Sequence, residues 1–291
     1  MNRPHSWLPL IFVSLTVLVF AGFFGWRYHQ ATQAPVVAQV PADAAQTEPS
    51  EAQAPSPGPS DANAPATAEH PVEEMAAETE SEPVALPGLD ESDDHVSGRL
   101  SGLMGQPNVL TFLQLDGFIR RTVATVDNLP RQQAPSAVWP VNPSPRRFIA
   151  LKGEGGMEII HPDNSQRYEP IVRLVESVDT ARTVAVYRAL YPLFQQAYEE
   201  LGFPGRYFND RVVQVLDHLI ATPVQPGPLA VTLVEVKGEV PSTRPWVRYE
   251  FADPTLEAQS AGRKILLRTG PDNHRRLRAK LVDLRERIAR R

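Results

Sequence analysis

Residues 179–217 read DTARTVAVYRALYPLFQQAYEELGFPGRYFNDRVVQVLD, and this stretch decides the fold. After Asp179, a residue suited to capping a helix start, Val184, Tyr187, Leu190, Tyr191, Phe194, Tyr198 and Leu201 recur at intervals of three and four. That spacing puts them on one face of a long helix. Pro192 lacks the amide of an interior helical residue and predicts a kink, while Gly202 predicts the end, because glycine accepts the left-handed conformation that closes helices. Phe203-Pro204-Gly205 then turns the chain. A second helix over about 207–221 directs Phe208, Val212, Val215, Leu216 and Leu219 inward. Two amphipathic helices joined by a tight turn predict a helix-rich domain.

Working outward toward the N-terminus, Asp90, Glu91, Asp93 and Asp94 sit at a helix start, where acids favour the free amides. Val96, Leu100 and Leu103 follow on one face. Leu110, Leu113, Phe118, Ile119, Val123 and Val126 continue at helical spacing until Pro130, and five prolines over 130–145 predict a loop. Residues 148–152 and 157–161 are short apolar runs joined by Gly153-Glu154-Gly155-Gly156, the pattern of a hairpin. A phosphate-binding loop is excluded, since no Gly-Lys-Ser/Thr follows the glycines. Asn164 or Ser165 predicts a cap for a helix through Ser177, with Tyr168, Ile171, Val172, Leu174 and Val175 apolar.

Toward the C-terminus, 229–236 and 246–251 predict strands. Asp253-Pro254 begins a helix by the cap-then-proline rule, and Gly270-Pro271 breaks it before a last helix striped with Leu277, Leu281, Leu284 and Ile288. The predicted class is mostly α (α+β): a helix-rich body over 89–291 with a small β-hairpin or sheet. No repeat period marks it as a solenoid.

Charge separates this body from what precedes it. Residues 99–291 carry 27 Lys or Arg against 20 Asp or Glu; residues 28–98 carry 14 acids and no Lys or Arg; residues 1–27 carry two Arg and no acid. Residues 7–26, WLPLIFVSLTVLVFAGFFGW, are uncharged, and at about 1.5 Å per residue they span about 30 Å. Trp7, Trp26 and Tyr28 stand at the ends as interfacial aromatics would. Residues 1–28 therefore predict a head with one transmembrane anchor, longer than a cleaved signal core. Residues 29–88, rich in Pro, Ala and Glu, are too poor in apolar surface to fold and predict a disordered tether. The tether's composition asks for nothing beyond a spacer, although it leaves room for a short partner motif. Positive charges flank the anchor almost evenly, so orientation rests on the short head, which favours a body outside the cytoplasm. The chain has no Cys, which excludes thiolate metal sites, a Cys nucleophile and a lipid-modified cysteine.

The densest polar and aromatic group lies at the helical corner: Tyr191, Gln195, Tyr198, Arg206, Tyr207, Asn209, Asp210 and Arg211. Rings for stacking beside Arg, Asn and Asp for directed hydrogen bonds suit a peptide or carbohydrate. The plainer reading is that the rings pack and that Glu199, Arg206 and Asp210 pair with one another. A second candidate is the basic last helix, with Arg275, Arg276, Arg278 and Lys280, which fits an anionic surface or a merely solvated helix face. No catalytic motif is recognisable: Ser260-Ala261-Gly262-Arg263 puts Arg where a Ser-x-x-Lys enzyme needs its base, and Asp217-His218 and His161/Asp163 lack metal-ligand spacing. A hydrolase built on Glu199, Glu200, Asp210 or Asp217 stays open as an alternative, as does an oligomeric structural role. No cofactor is predicted.

Three long runs carry a family resemblance: YPLFQQAYEELGFPGRYFNDRVVQVLDHLIATP at 191–223, DGFIRRTVATVDNLPR at 116–131 and YEFADPTLEAQSAGRKILLRTGP at 249–271. They resemble the proteobacterial domain of unknown function 3014. The resemblance implies an anchored bacterial envelope protein and brings no activity or site residues with it. Together these readings predict a single-pass inner-membrane protein with a periplasmic binding or scaffolding body. Its partners would be the membrane and an envelope protein or cell-wall polymer; nucleic acid would be out of reach.

Overall fold

The computed structural model describes residues 68–72, 85–153, 157–234 and 244–289. The apolar run at 7–26 and most of the tether lie outside the described residues, and no helix among those described is long and apolar enough to cross a membrane.

A 3-10 turn over Leu89–Glu91 leads into α1 (Asp93–Met104), α2 (Gln106–Phe112) and α3 (Phe118–Asn128). The continuous apolar spacing read across this region is interrupted twice, because Gly105 at φ 85° and Gly117 at φ 63° take backbone conformations that end and begin helices. Asp93 links the pieces. Its carboxylate accepts the amides of Gly117 (2.8 Å) and Phe118 (3.4 Å), so an acid at the start of α1 also caps α3.

After the proline loop, β1 (Ala150–Lys152) and β2 (Glu158–Ile160) pair antiparallel with Leu151 opposite Ile159, as the hairpin reading required. The four-stranded antiparallel sheet has the order β1-β2-β3-β4, completed by β3 (Ala230–Leu233) and β4 (Tyr249–Phe251). The last strand is shorter than predicted, since Pro245–Val247 forms a 3-10 turn. Helix α4 (Asn164–Ser177) is capped otherwise than expected: the fully buried Asn164 side chain accepts the Ile149 amide and donates to the Ile149 carbonyl, pinning β1 to the helix.

The decisive stretch forms α5 (Thr180–Glu200) and α6 (Phe208–Ile220). Asp179 caps α5 by accepting the Arg182 amide at 2.8 Å. The helix runs through Pro192, whose missing amide falls on the exposed face. The opposite face of α5 buries Val184, Leu190, Tyr191, Leu193, Phe194, Ala197 and Tyr198 with Val96 and Val109 of the first two helices, Ile119 and Val123 of α3, and Phe208, Val213 and Leu216 of α6. Each such aliphatic stabilises the fold by about 1.5–3 kcal/mol.

The helix begun by Asp253-Pro254 is also divided. After α7 (Pro254–Glu257), Ser260 starts α8 (Ala261–Arg268) by accepting the Arg263 amide. A Cβ on Gly262 would lie 2.6 Å from Leu219 Cδ2 and 3.1 Å from the Leu129 carbonyl, so glycine is what lets α8 dock beneath the end of α3. The last helix, α9 (Pro271–Ile288), packs against α4, α5 and α6.

Candidate functional site

A chain of hydrogen bonds builds the corner between α5 and α6. Tyr191 Oη donates to Gln195 Oε1 (2.9 Å), the same oxygen accepts the Phe208 amide (2.9 Å), and Gln195 Nε2 donates to Glu199 (2.8 Å) and to the Arg206 carbonyl (2.8 Å). One glutamine thereby caps α6 from the neighbouring helix and holds the turn. Tyr187 Oη donates to Asn209 Oδ1 at 3.2 Å, and Tyr191 Oη accepts the Asn209 amide at 3.3 Å. Burial raises the pKa of both phenols, keeping them neutral donors.

What these bonds position is the start of α6, and a separate part of the chain is seated there. The Asp210 carboxylate accepts the backbone amides of Glu69 (3.1 Å) and His70 (2.8 Å), while the fully buried Asn209 donates from Nδ2 to the His70 carbonyl at 2.7 Å. Two residues on, Val72 is 4% exposed and belongs to the main core cluster. The Glu69 side chain stands in solvent. Residues 68–72, which composition assigns to the tether, are thus held by their backbone and by one apolar side chain. A carboxylate gripping two successive amides makes charge-assisted bonds, and among the described residues Asp210 forms no ion pair that competes for it.

The eight residues singled out at the corner divide by environment. Tyr191, Gln195 and Asn209 form the frame, and Asp210 makes the contact. Tyr198 corrects the reading of an open aromatic surface: it is 3% exposed, stacked on Phe203 at 4.6 Å and tilted against Phe208 at 5.3 Å. Tyr207 packs on Tyr191 at 5.6 Å, and Arg206 is exposed beside them. Arg211 points the other way, to the buried Asp127 at 3.0 Å; Asp127 also binds Arg131. The expected trio of Glu199, Arg206 and Asp210 does not pair.

The cations singled out on the basic helix have partners within the domain. Arg276 Nε donates to Glu176 Oε1 and Nη1 to Glu169 Oε2, both at 2.8 Å, holding α9 to α4 and pulling both glutamate pKa values down. Arg278 donates to the Ile220 carbonyl at 2.8 Å, Lys280 to the Val178 carbonyl, Arg275 to Asp272, and Arg285 to Asp217 at 2.9 and 3.1 Å. These cations tie the helix to the domain. The carboxylates considered for hydrolysis are likewise dispersed, with Glu200 on Arg120 and Asp217 on Arg285.

Two further features escaped sequence reading. His218 Nε2 lies 2.8 Å from Ser260 Oγ, a serine–histidine contact between residues 42 apart in the chain. Ser260 is nearly buried and caps α8, and burial together with Arg263 lowers the His218 pKa. A cleft of about 540 Å³ opens between the start of α4, residues 225–229 and the start of α9, with Glu169 and Arg276 among its lining. Among the described residues no group of three or more His, Asp or Glu could hold a metal.

The fold and its corner define a helical domain with a small antiparallel sheet, in which the start of α6 holds the bent backbone of residues 69–70. The chain belongs to the family described as Protein of unknown function (DUF3014), which matches residues 118–285, from the start of α3 almost to the end of α9. Neither a curated protein nor a solved structure matches it. Asn209 and Asp210 lie inside the matched region, and the seated segment lies outside it.

Proposed function

We propose that this is a single-pass inner-membrane protein whose body, displayed in the periplasm, works as a binding and scaffolding module that captures a bent peptide segment at the α5–α6 corner. The seat of residues 69–72 carries the reading: Asp210 and Asn209 bind two successive amides and a carbonyl of a bent segment, groups that peptide backbone presents whatever its side chains. The apolar run at 7–26 and the one-signed tether support the membrane part. Peptide is favoured over carbohydrate because the tyrosines that would stack on a sugar are engaged with one another and with Asn209.

The test is made in cells. A photo-crosslinking residue replaces the exposed Arg206 in the full-length protein, and externally added protease is applied to spheroplasts. The expected result is a body that is cut in spheroplasts and adducts that map to peptide segments and disappear with Asp210→Ala. A body protected until lysis would overturn the localisation, and adducts indifferent to Asp210→Ala would overturn the corner as the seat.

A further inference from the structure

The seated segment reads Glu69-His70-Pro71-Val72, and the contacts separate what the seat requires from what it ignores. The first two positions must offer amides, which bars proline from both. The second must offer its carbonyl to Asn209. Proline at the third position costs no hydrogen bond of the seat, since the amide of that residue is not used. The fourth side chain is the one buried in the core, and valine, short and branched, loses little rotamer freedom there. The seat therefore accepts x-x-Pro-Val, with the first side chain in solvent and the second half-buried.

That pattern occurs three times in the acidic segment: Gln33-Ala34-Pro35-Val36, Glu69-His70-Pro71-Val72 and Ser81-Glu82-Pro83-Val84. Three of the five valines between residues 29 and 88 follow a proline, and none of the three motifs has proline at its first two positions. A stretch dominated by Ala, Pro, Glu, Gln, Ser and Thr thus places half of its six branched aliphatics, five valines and Leu86, in the setting the seat accepts.

We propose that the α5–α6 corner reads x-x-Pro-Val as a linear motif, that residues 69–72 are its resident occupant within the same chain, and that the copies at 33–36 and 81–84 are alternative occupants. The inference rests on the peptide-capture reading and adds the motif and the competition. Each motif can then hold the corner in its own chain or in a second copy, so exchange of occupants joins neighbouring molecules through their tethers. A resident occupant also lowers the apparent affinity for any arriving motif by the fraction of time the seat is free.

The test uses full-length protein in detergent micelles and three synthetic peptides, spanning residues 30–38, 66–74 and 79–86, each with a control in which the motif valine is aspartate. Val72→Asp, made throughout this test together with Val36→Asp and Val84→Asp so that no motif of the same chain refills the corner, releases the resident segment. All three peptides should bind the Val72→Asp protein saturably, the aspartate controls should not, and wild-type protein should bind each peptide at least about tenfold more weakly, as a seat occupied more than about nine-tenths of the time requires. Binding of 66–74 alone would leave the corner a peptide seat and overturn the motif inference. Equal binding to wild type and Val72→Asp would overturn resident occupancy, and binding of none would overturn both readings. Should Val72→Asp fail to fold, hydrogen exchange of the Glu69 and His70 amides in wild-type protein replaces it. The 30–38 and 79–86 peptides at millimolar concentration should speed both amides, and unchanged rates would count against the proposal.

Discussion

The α5–α6 corner and the α9 helix both look, in one dimension, like surfaces waiting for a partner, and the structure treats them oppositely. At α9 the charge is consumed by the fold: Arg276 bridges Glu169 and Glu176, Arg285 grips Asp217, and Arg278 and Lys280 end on backbone carbonyls. At the corner, Asp210 is left with backbone amides from a segment about 140 residues earlier in the chain. A charged side chain is available for recognition only where the fold has not already satisfied it, and sequence density of charge does not report that. The corner's own arginine makes the same point, since Arg211 is spent on buried Asp127 while Asp210 beside it faces the occupant.

The largest expected effect lies behind the corner. Asp127→Ala removes a carboxylate that is 5% exposed and leaves Arg211 without its ion pair, which should cost about 3 kcal/mol by chemical denaturation, the lower end for breaking a buried pair. Next, Asn209→Ala deletes a fully buried amide and leaves the Tyr187 hydroxyl and the His70 carbonyl without their partner, for a loss of about 2 kcal/mol. On the proposal that residues 68–72 exchange as a unit, Val72→Ala and Val72→Asp should cost about the same, each limited to the docking free energy of that segment; a much larger loss for aspartate would make it part of the cooperative core.

At α9 the effects should be smaller and should depend on pH. Arg276 lowers the pKa of Glu169 and Glu176, so these acids bind protons less readily folded than unfolded, and their stabilisation is present above the ordinary glutamate range and lost as pH falls below about 4.5. Melting followed from pH 7 to 3 should fall less steeply in Arg276→Gln than in the wild type, and parallel curves would remove the link. Smallest of all, Arg275→Ala breaks an exposed pair with Asp272 and should stay within about 0.5 kcal/mol.

Much of this contrast could be read from the chain. The helical spacing of 179–217 located α5, α6 and the turn between them, and the Gly-rich link between two apolar runs located the β1–β2 hairpin. The breaks at Gly105 and Gly117 were hidden because apolar residues on both sides keep helical spacing, and only the backbone sign distinguishes a tolerated glycine from one that ends a helix. The eight corner residues were visible as a cluster, yet a linear reading could not divide Tyr198, which faces the core, from Asp210, which does not. The seated segment was invisible for a different reason. Its bonds are made by backbone, which carries no residue signature, and one valine does not stand out from an otherwise polar tract.

The central claim is that residues 69–72 occupy the corner, and the absence of cysteine from the chain permits a direct measurement. Val72→Cys places one thiol of nearly the original volume at the buried position, and its reaction with a small thiol reagent is timed in the full-length protein, alone and combined with Asp210→Ala. Occupancy of the corner predicts labelling slowed at least about tenfold relative to the denatured chain, with most of that protection lost when Asp210 can no longer hold the Glu69 and His70 amides. Labelling as fast in the native protein as in the denatured chain, or protection that Asp210→Ala leaves intact, would contradict it.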